Sequence, residues 1–353
     1  MIRFTWLQFR PQAAFVSGAL AIVALALALT GTHLAHLYDA SGIGACHSNC
    51  GALAADFLQR QGSALDVSHG LGIAVLAVPG LIGAFWGAPL VAREFETGSF
   101  RLAWTQSVSR GRWLAVKLGL VGLCSLAVCG LLSLMVTWWA SPLDTAGMDP
   151  WATFGQRDVS PVGYASFAFM LGVATGILLR RTIPAMAATL VVFAAVQIAV
   201  SLWVTPHLIA PEQTARPVTA VSASGAVIAQ SMGTATGNHL LFVPAPINMP
   251  GAWILSPARD CATTASCQVI TPSGRSAAAL PVTRACEPSA PASGPGSCQA
   301  HIDGLHLRQV ITYQPASRYW PLQWSETGIY LGLTVILTGV CAWRIRRRSS
   351  GSR

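Results

Sequence analysis

Residues 92–117 read AREFETGSFRLAWTQSVSRGRWLAVK. This block holds seven of the 35 formally charged residues in a 353-residue chain of which only 10% is charged. One long apolar run ends just before it and another begins in its last residues. It reads as the turnaround between two membrane spans, and the rest of the fold follows outward from it.

The chain is 53% hydrophobic with a mean hydropathy of +0.53, too apolar for an ordinary soluble enzyme of this length. About 20 consecutive apolar residues suffice to cross a bilayer as a helix. Six runs qualify, at about 14–36, 69–91, 114–139, 162–179, 183–205 and 327–343. Barrel strands would alternate polar and apolar residues, and these runs do not. The expected fold is an all-α polytopic membrane protein with six transmembrane helices and a large irregular, β-containing external loop domain between helices 5 and 6. Residues 1–206 carry spans one to five, 207–326 form the external domain, and 327–353 hold span six and a basic tail. The first run is longer than a signal-peptide core and other spans follow it, so it reads as an uncleaved helix.

Charge sets the sidedness. With the N-terminus inside, the cytoplasmic segments hold 14 of the 22 basic residues and only Glu94 and Glu96 as acids, a balance of +12. The external segments hold eight basic and eleven acidic residues, a balance of −3. Short loops rich in Arg and Lys stay in the cytoplasm. The long segment 207–326 has no weight in that rule, and without it the outside keeps only Arg60 and Arg157 as basic residues. Both termini are therefore expected on the cytoplasmic side of the membrane. The net charge of +9 is the positive-inside signal plus attraction to anionic lipid, and no nucleic-acid partner is expected.

Cys46, Cys50, Cys261, Cys267, Cys286 and Cys298 fall outside, an even number in an oxidising compartment, and are disulfide candidates. Cys46 with Cys50, and two bonds among the other four, is the economical pairing. His33, His36, Cys46, His47 and Cys50 raise the idea of a metal site, but Cys-x3-Cys is not a recognised zinc spacing and no metal is expected. Segment 207–326 carries 13 of the 21 prolines, with short β-like pieces between Pro and Gly. Tyr319, Trp320 and Trp324 at its end read as an interfacial aromatic belt.

The spans contain essentially no Asp, Glu, Lys or Arg, with Gln197 as the most polar mid-span residue. Intramembrane ionisable groups mark proton relays and ion pathways, so this count argues against a proton-coupled carrier. Gly83 with Gly87 and Gly172 with Gly176 form two GxxxG pairs spaced for close helix packing, and Pro79 predicts a kink in span two. The single lysine, Lys117, follows Val116 and not glycine, so the chain has no phosphate-binding loop and no catalytic residues of its own are expected. Asp260, His301, Asp303 and His306 form no known catalytic spacing.

Read as a helix starting near Gly98, the block puts Phe100, Ala103, Trp104 and Val108 on one face, with Arg101 and Arg112 away from it. The order Glu94, Glu96, Gly98-Ser99, Ser109-Arg110 and Lys117 resembles the cytoplasmic block after the second span of type-2 permeases of ABC (ATP-binding-cassette) exporters. The six-span plan and the large segment before span six resemble them as well. The opening FTWLQFRPQ and closing QPASRYWPLQWSETG are similar to actinobacterial members. The resemblance implies an ATPase-docking surface at Glu94, Glu96, Gly98, Phe100, Arg101, Trp104 and Arg110. It implies a cytoplasmic ATP-binding-cassette partner that holds ATP and Mg, no cofactor on this chain, and a homodimer or a heterodimer with a paralogue in the bilayer. The mostly apolar spans favour an amphipathic or lipid-like substrate, such as a drug or a peptide. The alternative is a non-transporting receptor or assembly factor that presents the external disulfide domain.

Overall fold

A computed structural model of the chain describes residues 2–46, 50–97, 110–217, 232–234, 237–239, 249, 251–255, 269–275 and 304–350. By packing, the chain divides into two units, Met1–Leu208 with Tyr319–Arg353, and Ile209–Arg318.

The first unit is helical. Helix α1 spans Ile2–Ala40 and α2 Cys50–Arg60. Helix α3 (Gly62–Ile82) passes through a π-turn at Gly83–Gly87 into α4 (Ala88–Thr97). Then come α5 (Arg110–Thr145), α6 (Ser160–Leu179) and α7 (Thr182–Ala199), which ends in a second π-turn at Val200–Val204. The last helix, α8, spans Tyr319–Ser350. Six stretches are long and apolar enough to cross a membrane: Val16–Ala45, Gly62–Glu94, Ala115–Thr145, Ser160–Leu179, Thr182–His207 and Ala316–Arg344. The chain is a polytopic helical membrane protein, with one stretch for each apolar run in the sequence. Large apolar side chains point outward, among them Ile22 and Leu29 on α1, Leu134 and Trp138 on α5, Val191 and Trp203 on α7, and Val335 on α8. Only lipid makes so much outward apolar surface favourable.

Helix α6 is the hub. Sixteen of its 20 residues are buried, and it packs on α3, α4, α5, α7 and α8. Small residues make this possible. A Cβ on Gly83 would strike the backbone of Ala168, one on Gly87 that of Phe169, one on Gly172 that of Gly83, and one on Gly176 that of Ala88. The two glycine pairs therefore face each other within one chain. With no side chains between them, the π-turn region and α6 approach backbone to backbone. Pro79 lies inside α3, four residues before the π-turn.

Two boundaries differ from the sequence expectation. The helix of span two begins at Gly62, and α8 begins at Tyr319, eight residues before the expected start of span six. The second shift brings Glu326 inside a candidate span, which corrects the reading of that span as free of acidic residues.

The second unit holds a four-stranded antiparallel sheet. Strands β1 (Glu212–Pro217) and β4 (Trp253–Ile254) flank β6 (Arg308–Gln314), and β5 (Val269–Ile270) also pairs with β6. Ala215 sits opposite Val310, and Trp253 opposite Gln314. Strands β2 (Met232–Thr234) and β3 (Gly237–His239) form a separate pair. Arg318 ties the sheet's edge by a salt bridge of 2.9 Å to Glu212.

Candidate functional site

The 92–117 block roots itself through three side chains. Glu94, on α4, meets Lys117, on α5, in an ion pair. Lys117 is 4% exposed and Glu94 is half-buried, so each charge needs the other. Glu96, one turn-half further on, leaves α4 sideways. Its Oε1 accepts the backbone N–H of Thr182 at 2.8 Å and its Oε2 accepts the Thr182 hydroxyl at 2.7 Å. Thr182 is the first residue of α7, whose own N-terminal flank, Arg181, supplies no side-chain cap. Glu96 thus caps a helix from another helix, at the end where the backbone dipole favours negative charge. The Thr182 hydroxyl, then its N–H, hold the Glu96 carboxyl below its usual value of 4.5, and Arg181 and Arg93 add smaller pulls. Three spans are joined at one end of the bundle, the end that carries Arg93, Arg180 and Arg181.

Of the expected docking residues, Glu94 and Glu96 both turn their carboxylates to partners inside the chain. Gly98, Phe100, Arg101 and Trp104 lie outside the described residues. Arg110 begins α5. Of the disulfide candidates, Cys46 and Cys50 are joined to each other, so neither is a free thiolate for a metal ion. Cys261, Cys267, Cys286 and Cys298 lie outside the described residues. Cys124, Cys129 and Cys341 are free thiols inside the helical unit.

A cleft of about 760 Å³ opens between α1, α3 with its π-turn, and α5. Val16 and Leu20, Val78 and Phe85 with Trp86, and Leu132 are among its walls, and among the described residues none that lines it is charged. Within the π-turn Phe85 is half exposed while Trp86 is buried. Single π-turns inside α-helices are frequent at functional sites.

A family model described as ABC-2 membrane transporter related matches residues 17–205, more than half of the chain. The chain belongs to that family. The matched stretch runs from α1 to the second π-turn and takes in the linked bundle end, both glycine pairs and the cleft. No curated protein and no solved structure matches the chain. As an ABC-2 family protein the chain is a transmembrane subunit of a membrane transporter, a class that works in association with an ABC ATPase.

The opposite end of the bundle holds a polar group that the sequence reading left out. Tyr319, Gln323, Glu326 and Tyr330 fall at intervals of four, three and four along α8, one stripe on a helix. Gln323 accepts from the Ser160 hydroxyl at 2.6 Å and from its N–H at 3.2 Å. Tyr164 donates to Glu326 Oε1 at 2.6 Å, Tyr330 donates to Gln197 at 2.9 Å, and Tyr319 donates to Asp158 at 2.7 Å. The spacing is visible in the sequence, but the expected span, 327–343, takes in only Tyr330 of the four. Tyr319, expected in an aromatic belt, packs inward on Trp151 and Phe154. Trp320 and Trp324, at 52% and 60% exposure, do point outward as a belt requires.

Proposed function

We propose that this chain is the permease subunit of an ATP-driven exporter in a bacterial plasma membrane, working as a homodimer or with a paralogue. The observation that carries the reading is the three-helix link at the basic end. A push on segment 98–109 is transmitted to α4 and α5, which flank it in sequence, and through Glu96 to the start of α7. Docking falls to Gly98, Phe100, Arg101, Trp104 and Arg110, while Glu94 and Glu96 carry the motion inward. ATP and Mg belong to the partner ATPase, since this chain's only lysine follows Val116. The positive-inside balance supports cytoplasmic termini. The apolar cleft beside the π-turn supports an amphipathic or lipid-like substrate, because its walls among the described residues offer burial and no charge partner.

Co-purification tests this reading. The tagged full chain, gently solubilised from its native membrane, is expected to bring down a stoichiometric ATP-binding-cassette protein, and Gly98→Pro is expected to lose it while inserting normally. A chain that arrives without any ATPase, from a preparation that keeps other complexes whole, would replace the exporter with the receptor reading.

A further inference from the structure

Glu326 is 1% exposed, inside a candidate span, with α6 on one side and the end of α7 on another. Its two oxygens are treated differently. Oε1 accepts the Tyr164 hydroxyl at 2.6 Å, whereas Oε2 is buried and makes no hydrogen bond. Among the described residues no Lys, Arg or His partners it. The titratable groups that face it are Tyr164 from α6 and Tyr330 from α8 itself. From the α7 side it meets Thr205, just past the second π-turn, whose hydroxyl donates to Val200 O at 3.1 Å. Gln197 accepts from Tyr330 and also neighbours Tyr164. The loop between α5 and α6 covers the pair closely: a Cβ on Gly155 would lie 2.6 Å from the Tyr164 hydroxyl and 4.0 Å from Glu326 Oε1. The charges of that loop are spent elsewhere, Arg157 on Asp144 in a two-pronged pair at 2.7 and 3.0 Å, and Asp158 on Tyr319.

A carboxylate in such a place needs a compensating positive charge. A metal ion would need several oxygen ligands, and Glu326 offers one unpaired oxygen. A proton needs only that atom. The Thr205 hydroxyl beside the carboxyl donates its hydrogen to Val200 O. Tyr164 donates to Oε1, Thr205 donates both its hydroxyl and its N–H to the Val200 carbonyl, and a proton on the unpaired Oε2 neutralises the carboxylate.

We propose that Glu326 is a proton-binding site at the seam of α6, α7 and α8, occupied while the seam is packed and emptied when α8 parts from α6. The only bond that forms or breaks is the O–H bond of the carboxyl, and the proton is exchanged with bulk water when the seam opens. In the exporter reading, on which this use of the site rests, one proton would be released and regained in each conformational cycle.

The experiment uses the full chain alone in lipid nanodiscs, with protons as the only ligand. Infrared difference spectra taken across a pH titration should show a protonated-carboxyl C=O band that Glu326→Gln removes. Deuterium uptake of residues 319–330, taken relative to the intrinsic exchange rate at each pH, should rise with pH in the unaltered chain and stay flat in Glu326→Gln. Tyr164→Phe, which takes the donor from Oε1, should shift the band and serves as the readout if Glu326→Gln does not fold. A spectrum without that band, a band that survives Glu326→Gln, uptake with the same pH dependence in both chains, or a band unmoved by Tyr164→Phe would overturn the proposal. No ATPase, nucleotide or substrate is present, so a failure here leaves the exporter reading standing, and failure to recover an ATPase leaves this site standing.

Discussion

At the basic end of the bundle carboxylates meet charges and helix N–H groups, whereas at the opposite end Glu326 meets, among the described residues, the hydroxyls of Tyr164 and Thr205. Glu94 faces Lys117, and Glu96 caps α7 in full contact with water. Glu326 is buried among Tyr164, Thr205 and Gln197. The same side chain is used in three ways because its surroundings differ. A half-buried carboxylate needs an ion partner, an exposed one binds best where a helix offers unpaired N–H groups, and a fully buried one without a cation needs a closed hydrogen-bond network. The first two arrangements join helices through charge and yield when the charge changes. The third joins them through proton order, and it yields when a proton leaves.

Four measurements can break or sharpen that contrast. The largest effect is expected from Glu94→Ala, which removes the carboxylate that pairs with the buried Lys117. It should cost about 3–5 kcal/mol of stability, read as a lowered unfolding midpoint in detergent, and Glu94→Leu combined with Lys117→Met should recover most of it. Next comes Gly172→Leu, a wedge midway between the ends, where the added side chain meets the backbone of Gly83. Overpacking of about 1–3 kcal/mol should follow. If hydrogen exchange then rises at both ends together, the two are mechanically joined through α6. If it rises at one end only, they act separately. Tyr164→Phe should cost about 1 kcal/mol by thermal unfolding, the usual range for one lost hydrogen bond, and should leave exchange at Thr182 unchanged.

The smallest effect is a matter of pH. The folded Glu96 carboxyl lies below its usual 4.5, so its link to α7 is fully present above that value and is lost as pH falls through the lower folded value. Amide exchange at Thr182, taken relative to its intrinsic rate, should therefore gain on acidification below about pH 4.5, and Glu96→Gln should abolish that dependence. The opposite end should loosen in the other direction, as pH rises. A chain in which both ends loosen with acid would erase the distinction drawn between them.

Much of the helical unit was legible because a membrane span is a local property. An apolar run of sufficient length must become a helix in lipid whatever its neighbours do, since no other partner exists for its backbone. The six runs therefore map onto six helices, and Gly83, Gly87, Gly172 and Gly176 could be singled out by spacing alone. What spacing left open was the partner of each pair, which proves to be the other pair. At the candidate site, Glu94, Glu96 and Lys117 were visible as charges crowded between spans. Their partners were not, because Glu96 and Thr182 are 86 residues apart and only the packing of α4 on α7 brings them together. Glu326 was missed for a different reason. The aromatic, proline-containing stretch before it reads as an interface, so the span was taken to begin one residue after it. In the folded chain that stretch is the first two turns of α8, wound early because Tyr319 and Gln323 find Asp158 and Ser160 across the seam.

By itself, then, the sequence determined that this protein is a six-span membrane helix bundle with a basic face and a segment of different composition before the last span. Burial in lipid and the positive-inside bias act on short stretches one at a time, and a chain read residue by residue carries them in full. Only the tertiary structure decided which glycines meet, which carboxylate caps which helix, and that one acidic side chain is sealed within the seam. Those outcomes depend on contacts between residues far apart in the chain, and their energies exist only once the helices are packed.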